Sequence, residues 1–170
     1  MMDLIIREAQ PEDAERILQY VQSLINEPEV NLLLSPGEFA LTREQEQNLL
    51  SEFASSDNSV YFLAERAAKI VGTLICQGGR RRAIRHTAGL SMSVAKEWRN
   101  QGIGSLLLSR ALEWAKHTGI VSRIELDVFA RNEPAIHLYQ KFGFVTEGCR
   151  RNAIYRDGRY HDDLLMAFLL

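Results

Sequence analysis

Residues Ser93–Trp114 read SVAKEWRNQGIGSLLLSRALEW, and the segment Arg99-Asn100-Gln101-Gly102-Ile103-Gly104-Ser105 at its centre decides the fold. Two glycines one residue apart stand just before a strongly apolar helical pattern, although glycine costs a helix roughly 1 kcal/mol relative to alanine. A docked anion would explain them. The start of a helix leaves four N–H groups without intrahelical partners, and the macrodipole makes that end partly positive. Glycine lets an anion approach the backbone and permits dihedrals that turn successive N–H groups inward. Arg99 adds a positive charge and Ser105 a hydroxyl donor. The P-loop pattern is excluded, because Ser105-Leu106 follows Gly104 where it needs Lys-Ser/Thr; the dinucleotide fingerprint is excluded by Leu107 in place of its third glycine. On spacing alone, a tight strand-to-helix turn with close helix packing accounts for the glycines equally well.

Outward from this segment the chain alternates short β-branched runs with amphipathic ones. DLIIRE (Asp3–Glu8) predicts a strand, and Pro11 with Glu12 and Asp13 opens a helix whose apolar face holds Ile17, Leu18, Val21, Leu24 and Ile25. Residues 26–40 read as a loop, and Thr42 with Gln45 forms a capping-box pattern for a second helix ending near Ser55. A hairpin follows, with one strand to Arg66, a tight turn, and a second strand to about Gln77. Then come HTAGLSMSV as a strand, the opening segment, Ser122–Ala130 as a strand, and a helix from about Glu133 to Phe142. Two terminal strands are joined by RDGR, a turn signal. The order β-α-α-β-β-β-α-β-α-β-β predicts an α/β chain with a mixed sheet and helices on its faces.

The 170 residues are expected to form one domain spanning 1–170, and 46% hydrophobic with 25% charged residues is the balance of an ordinary globular protein. A net charge of −2 argues against a nucleic-acid partner. Cys76 and Cys149 sit in apolar, strand-like surroundings and are expected to be buried free thiols, which fits a reducing cytoplasm. No apolar run is long enough for a signal peptide or a membrane span, so a cytoplasmic location without membrane contact is expected. Arg80-Arg81-Arg82 and Arg85 read as a solvated hairpin tip, since a strand of about 25 Å at 3.3 Å per residue separates them from the glycine loop. No zinc-protease, dithiol or nucleophile-elbow motif occurs, and no metal is expected.

A second constellation, VFARNEPAIHLYQKFGF, runs from Val128 to Phe144. Taken singly, its residues have structural explanations: Asn132 can cap a helix, Tyr139 can line a core, and Gly143 can end the helix in the left-handed conformation. Together, R-x-x-G-x-G and N-x-x-A-x-x-L-Y-x-K-x-G-F resemble the GCN5-related N-acetyltransferases over nearly the whole chain. The tail YRDGRYHDDLLMAFLL resembles the branch of ribosomal-protein, phosphinothricin and polyamine acetyltransferases. The resemblance implies a splayed mixed sheet of about seven strands with four helices, and acetyl-coenzyme A as co-substrate. It implies a pyrophosphate on the N–H groups of Gln101, Gly102, Ile103, Gly104 and Ser105, beside Arg99 and Asn100. It implies a pantetheine arm paired with the backbone of Met92 and Val94, Asn132 at the cofactor, and Tyr139 aimed at the thioester sulfur. Val94 is then the candidate backbone donor to the oxyanion, and Tyr139 the general acid.

The sequence departs from many relatives in having Gly89 where a glutamate is expected before SV. Asp127 is the leading candidate for base or relay, with Glu125 on the same strand face and His86 as further candidates. The acceptor, a small-molecule amine, a polyamine or a protein N-terminus, is expected against the first two helices and the last strand pair. Those regions supply Glu27, Glu29, Glu38, Phe39, Tyr155, Tyr160, His161, Asp162 and Asp163. An alternative for this chain is a non-catalytic acyl-CoA-binding sensor or regulatory domain with the same fold, and a homodimer is compatible with either.

Overall fold

The computed structural model describes residues 4–28 and 30–170, so Asp3 of the first predicted strand and Glu29 of the acceptor acids lie outside the described residues. Among the described residues there are seven strands and four α-helices: β1 (Leu4–Glu8), α1 (Ala14–Ile25), α2 (Arg43–Ser55), β2 (Val60–Arg66), β3 (Lys69–Gly78), β4 (Thr87–Val94), α3 (Ile103–Thr118), β5 (Arg123–Phe129), α4 (Glu133–Lys141), β6 (Val145–Arg156) and β7 (Arg159–Leu169). They form one sheet in the order β1-β2-β3-β4-β5-β7-β6. Its one parallel pair is β4 with β5; the other neighbours run antiparallel. The mixed α/β architecture is the one read from the element order.

Pattern explains the layers. The apolar stripe of α3, including Leu107, Leu108, Ala111 and Ala115, packs on Phe62, Leu74 and Ile124 of the sheet, and α4 closes the same face. On the other face, Ile17 of α1 with Leu50 and Phe53 of α2 covers Tyr61 and Leu63. Helix α2 starts where its capping box predicts: the Gln45 N–H donates to the Thr42 hydroxyl (3.2 Å), and the Thr42 N–H donates to Oε1 of Gln45 (2.8 Å). The expected helix at Pro11 begins instead as a short 3-10 turn, Pro11–Asp13, and the α-helix starts at Ala14. The Asp13 carboxylate accepts the Gln10 N–H there (2.9 Å) and two bonds from Arg7 (2.7 Å each).

One expectation is corrected. Cys76 is buried within β3, but Cys149 is exposed, because β6 is an edge strand with few side chains facing the core. Neither cysteine is in a disulfide.

Candidate active site

The parallel ladder between β4 and β5 pairs Thr87 with Arg123, Ala88 with Ile124 and Gly89 with Glu125, then ends. On its other edge, β4 stays paired with β3 as far as Gly72–Val94. The two parallel strands therefore part after Gly89, and residues 90–94 are paired on one edge only. Backbone direction along the free edge follows from alternation. The Ala95 N–H donates to the Val71 carbonyl (3.0 Å), so the N–H and C=O of Val94 and Met92 point to the opposite, open edge.

A cleft of about 480 Å³ fills the gap. Its walls are the open edge (Met92, Ser93, Val94), the start of α3 with its preceding loop (Arg99, Asn100, Gly102, Ile103, Gly104, Ser105), and α4 (Asn132, Leu138, Tyr139). The loop after α1 contributes Val30, Asn31 and Leu32, and Arg131 stands at the same end.

At the start of α3, Asn100 and Gly102 both take left-handed conformations (φ 60° and 81°). The first helical bond runs from the Leu106 N–H to the Gly102 carbonyl (3.1 Å), which leaves the N–H groups of Ile103, Gly104 and Ser105 without intrahelical acceptors. A Cβ on Gly102 would meet nothing within 4 Å, whereas one on Gly104 would stand 3.1 Å from Cδ2 of Leu138. The second glycine thus serves close packing against α4. Free donors, the positive end of a helix and an open cleft are what an anionic diphosphate group requires.

The other candidates are distributed unevenly. Gln101 lies away from the cleft walls, with its side chain donating to the Glu97 carbonyl (3.0 Å) and accepting from Arg66 (3.3 Å). Asn132 caps α4 by accepting the Ala135 N–H (3.4 Å) while lining the cleft. Tyr139 is buried, with its ring 5.6 Å from that of Phe144, and this burial pushes its phenol up to about 12. Asp127 is half exposed on the other face of the sheet and ion-pairs with Arg150 (2.8 Å), outside the cleft walls. Glu125 pairs with Arg123 (2.9 Å), and exposed His86 precedes β4 at the end remote from Val94. Arg80 and Arg85 pair with Glu52 and Asp57 at that same remote end.

Several acceptor-side acids hold the chain together. Glu38 accepts the Ser35 N–H (2.8 Å), Asp162 accepts the Asn152 N–H (2.8 Å), and buried Asp163 binds Arg150. Arg156 anchors the loop after α1 through the carbonyls of Leu32 and Leu34. Sequence reasoning placed Arg99 beside an anion; the structure adds that it is bound to the nearby Val94 carbonyl and to Glu27, the latter a contact with a residue far back in the chain that no local pattern announces. Among the described residues no group of three potential metal ligands occurs, and no helix is long and apolar enough to cross a membrane.

Comparison with known proteins agrees with this fold. Residues 18–144 match the family model described as Acetyltransferase (GNAT) family. The chain is 31% identical over 169 residues to the L-amino acid N-acetyltransferase AaaT of Escherichia coli K12, covering 98% of each. It is similar to the crystal structure of a GNAT-family acetyltransferase from Streptococcus pneumoniae, with TM-score 0.95 and 38% identity over 99% of this chain and 100% of that one. A Salmonella typhimurium protein whose structure holds its cofactor acetyl-CoA shares the fold, with TM-score 0.84 and 18% identity over 99% of this chain and 94% of that one.

Proposed function

Because the chain belongs to the GNAT family of acetyltransferases, we propose that it moves an acetyl group from acetyl-CoA to a primary amine by direct attack on the thioester. One observation carries this reading: a single cleft brings together the open edge of β4, the free N–H groups of α3 and the buried Tyr139. The likeness to an L-amino acid N-acetyltransferase over nearly the whole chain makes an amino acid or another small amine the first acceptor to test, ahead of polyamines and protein N-termini. Two unpaired cysteines fit a reducing cytoplasm, where this chemistry would run.

In this reading the N–H groups of Ile103, Gly104 and Ser105 hold the pyrophosphate, and the outward N–H and C=O of Met92 align the pantetheine arm as it passes Val94. The Val94 N–H stabilises the negative charge that develops on the thioester oxygen. Tyr139 donates its proton to the departing thiolate sulfur, and the proton that the attacking nitrogen sheds as the amide forms passes to water. A phenol near 12 is a weak acid toward an aqueous thiolate, but the burial that raises it also raises the thiolate's proton affinity, keeping donor and acceptor closer. The acceptor arrives as an ammonium ion; freeing its lone pair at pH 7 costs about 4–5 kcal/mol for an alkyl amine near 10.4. The rate should therefore rise with pH as the amine loses its proton, while Tyr139 stays protonated throughout.

The test is thiol release from acetyl-CoA across L-amino acids, spermidine and short peptides, for wild type and Tyr139→Phe. Wild type turns over at least one amine, and the variant loses roughly a hundredfold or more in kcat with little change in KM for acetyl-CoA. Unchanged turnover in the variant would remove Tyr139 from the acid role. Stabilisation by coenzyme A with no turnover of any amine would mark a sensor instead.

A further inference from the structure

Arg131 stands at the corner where β5 turns into α4, and the backbone there is held on both sides. The Ala130 N–H donates to the Asp162 carbonyl of β7 (2.9 Å), and the Asn132 N–H closes a turn on the Phe129 carbonyl (2.8 Å). The Arg131 guanidinium lies over the Phe129 ring, with its central carbon 5.3 Å from the ring centroid. Its Nε donates to Oδ1 of Asn31 on the loop after α1 (2.9 Å), and both residues line the cleft.

A guanidinium carries five N–H donors. Arg131 spends one of them on a neutral amide, and among the described residues no carboxylate pairs with it. Arg99, the other arginine of the cleft, is committed to Glu27 and the Val94 carbonyl. Asp127 of β5 and Asp163 of β7 are both taken by Arg150. The Phe129 ring also meets His161, at 5.9 Å between centroids, and the buried Nε2 of His161 has no hydrogen-bond partner. Phe129 thus carries two nitrogen-bearing side chains with unused hydrogen-bonding capacity. The aromatic face and the Asn31 anchor hold the guanidinium fork in place, ready for a carboxylate that takes two of its N–H groups at once.

An unpaired guanidinium repels an acceptor that brings only ammonium charge, and attracts one that brings a carboxylate as well. Resting on that reading of the cleft, we propose that Arg131 receives a carboxylate of the acceptor. It thereby selects free α-amino acids over polyamines, which have no carboxylate, and over peptide N-termini, whose α-carboxyl is already an amide. With the carboxylate docked on Arg131, the amine is left to face the thioester in the same cleft.

The test measures steady-state kinetics with the L-amino acid that wild type uses best, with its carboxamide and with spermidine, for wild type, Arg131→Gln and Arg131→Lys. Each variant is read against wild type on the same acceptor, so differences in amine basicity cancel. Arg131→Gln should raise the amino-acid KM roughly ten- to hundredfold with little change in kcat, the scale of a hydrogen-bonded charge. The carboxamide KM should move less than about threefold, because no carboxylate is lost from its binding. Arg131→Lys should recover part of the loss, since it keeps the charge without the fork. Coenzyme A binding, followed by calorimetry, should be unaltered in both variants. An unmoved amino-acid KM, or equal losses on the amino acid and its carboxamide, overturns the proposal. Weakened coenzyme A binding overturns it by giving Arg131 to the cofactor's phosphates. Wild type that acetylates only amines without a carboxylate overturns it too, while the acetyltransferase reading stands. Wild type that turns over no amine overturns that reading itself.

Discussion

Gly102 holds its backbone at φ +81°, in open space, so its requirement is conformational and not steric. Alanine there pays the left-handed penalty, and Gly102→Ala should lower unfolding stability by about 1–2 kcal/mol in urea denaturation. Gly104 differs, since its missing Cβ makes room for Leu138. The repeated glycines could be located from sequence, yet their two separate reasons could not: one depends on a dihedral and the other on a side chain thirty-four positions away. The same limit applies to Arg99. Its place beside the glycines was legible, whereas Glu27 lies far back in the chain, and nothing periodic connects them. Cys149 misled for a related reason, because an apolar neighbourhood in sequence does not say whether a strand lies at a sheet's edge.

Between β2 and β3 the tight turn is where two apolar runs place it, and those runs say nothing of its backbone conformation. Ala67 and Ala68 both sit in the left-handed region (φ 52° and 59°), which a two-residue hairpin turn demands and alanine resists. Replacing them with Asn-Gly should raise stability by about 1–2 kcal/mol, measured by thermal or urea unfolding, since no side-chain contact in the core is lost. The β6–β7 turn already carries Asp157-Gly158 in that conformation (φ 53° and 76°), matching its sequence signal. Strands, helices and the α2 cap are local matters of period and hydrogen-bonding side chains, which is why they could be read. The parting of β4 from β5 after Gly89 was expected only through family likeness; periodicity says nothing about what pairs with a strand.

Across the whole molecule, the order β5-β7-β6 inserts the strand of latest sequence between two earlier ones, a choice no single segment encodes. A charge cluster fastens the opposite side of the sheet. Arg7 of β1 binds Asp13 and Glu65 (2.7 Å each), and Arg16 of α1 binds the same two acids (3.1 and 2.5 Å). Both acids are mostly shielded, and the Arg7 hydrogen bonds hold their carboxyls below the usual carboxylate range. A depressed carboxyl contributes stability that is complete above its unfolded pKa, near 3.9 for Asp and 4.3 for Glu, and is lost as pH falls through the lower folded value. Arg7→Ala should therefore cost about 2–3 kcal/mol at pH 7, with Arg16 limiting the loss, and the difference in urea midpoint from wild type should shrink below pH 4. An unpaired β edge normally invites a neighbouring molecule's strand and, through it, aggregation. This protein keeps such an edge at residues 90–94 indoors, walled by β5 and the helices over the gap. A full polypeptide strand has no free approach to it, whereas a slender thread does, so the stickiness that would endanger an outer strand becomes selectivity for thin guests.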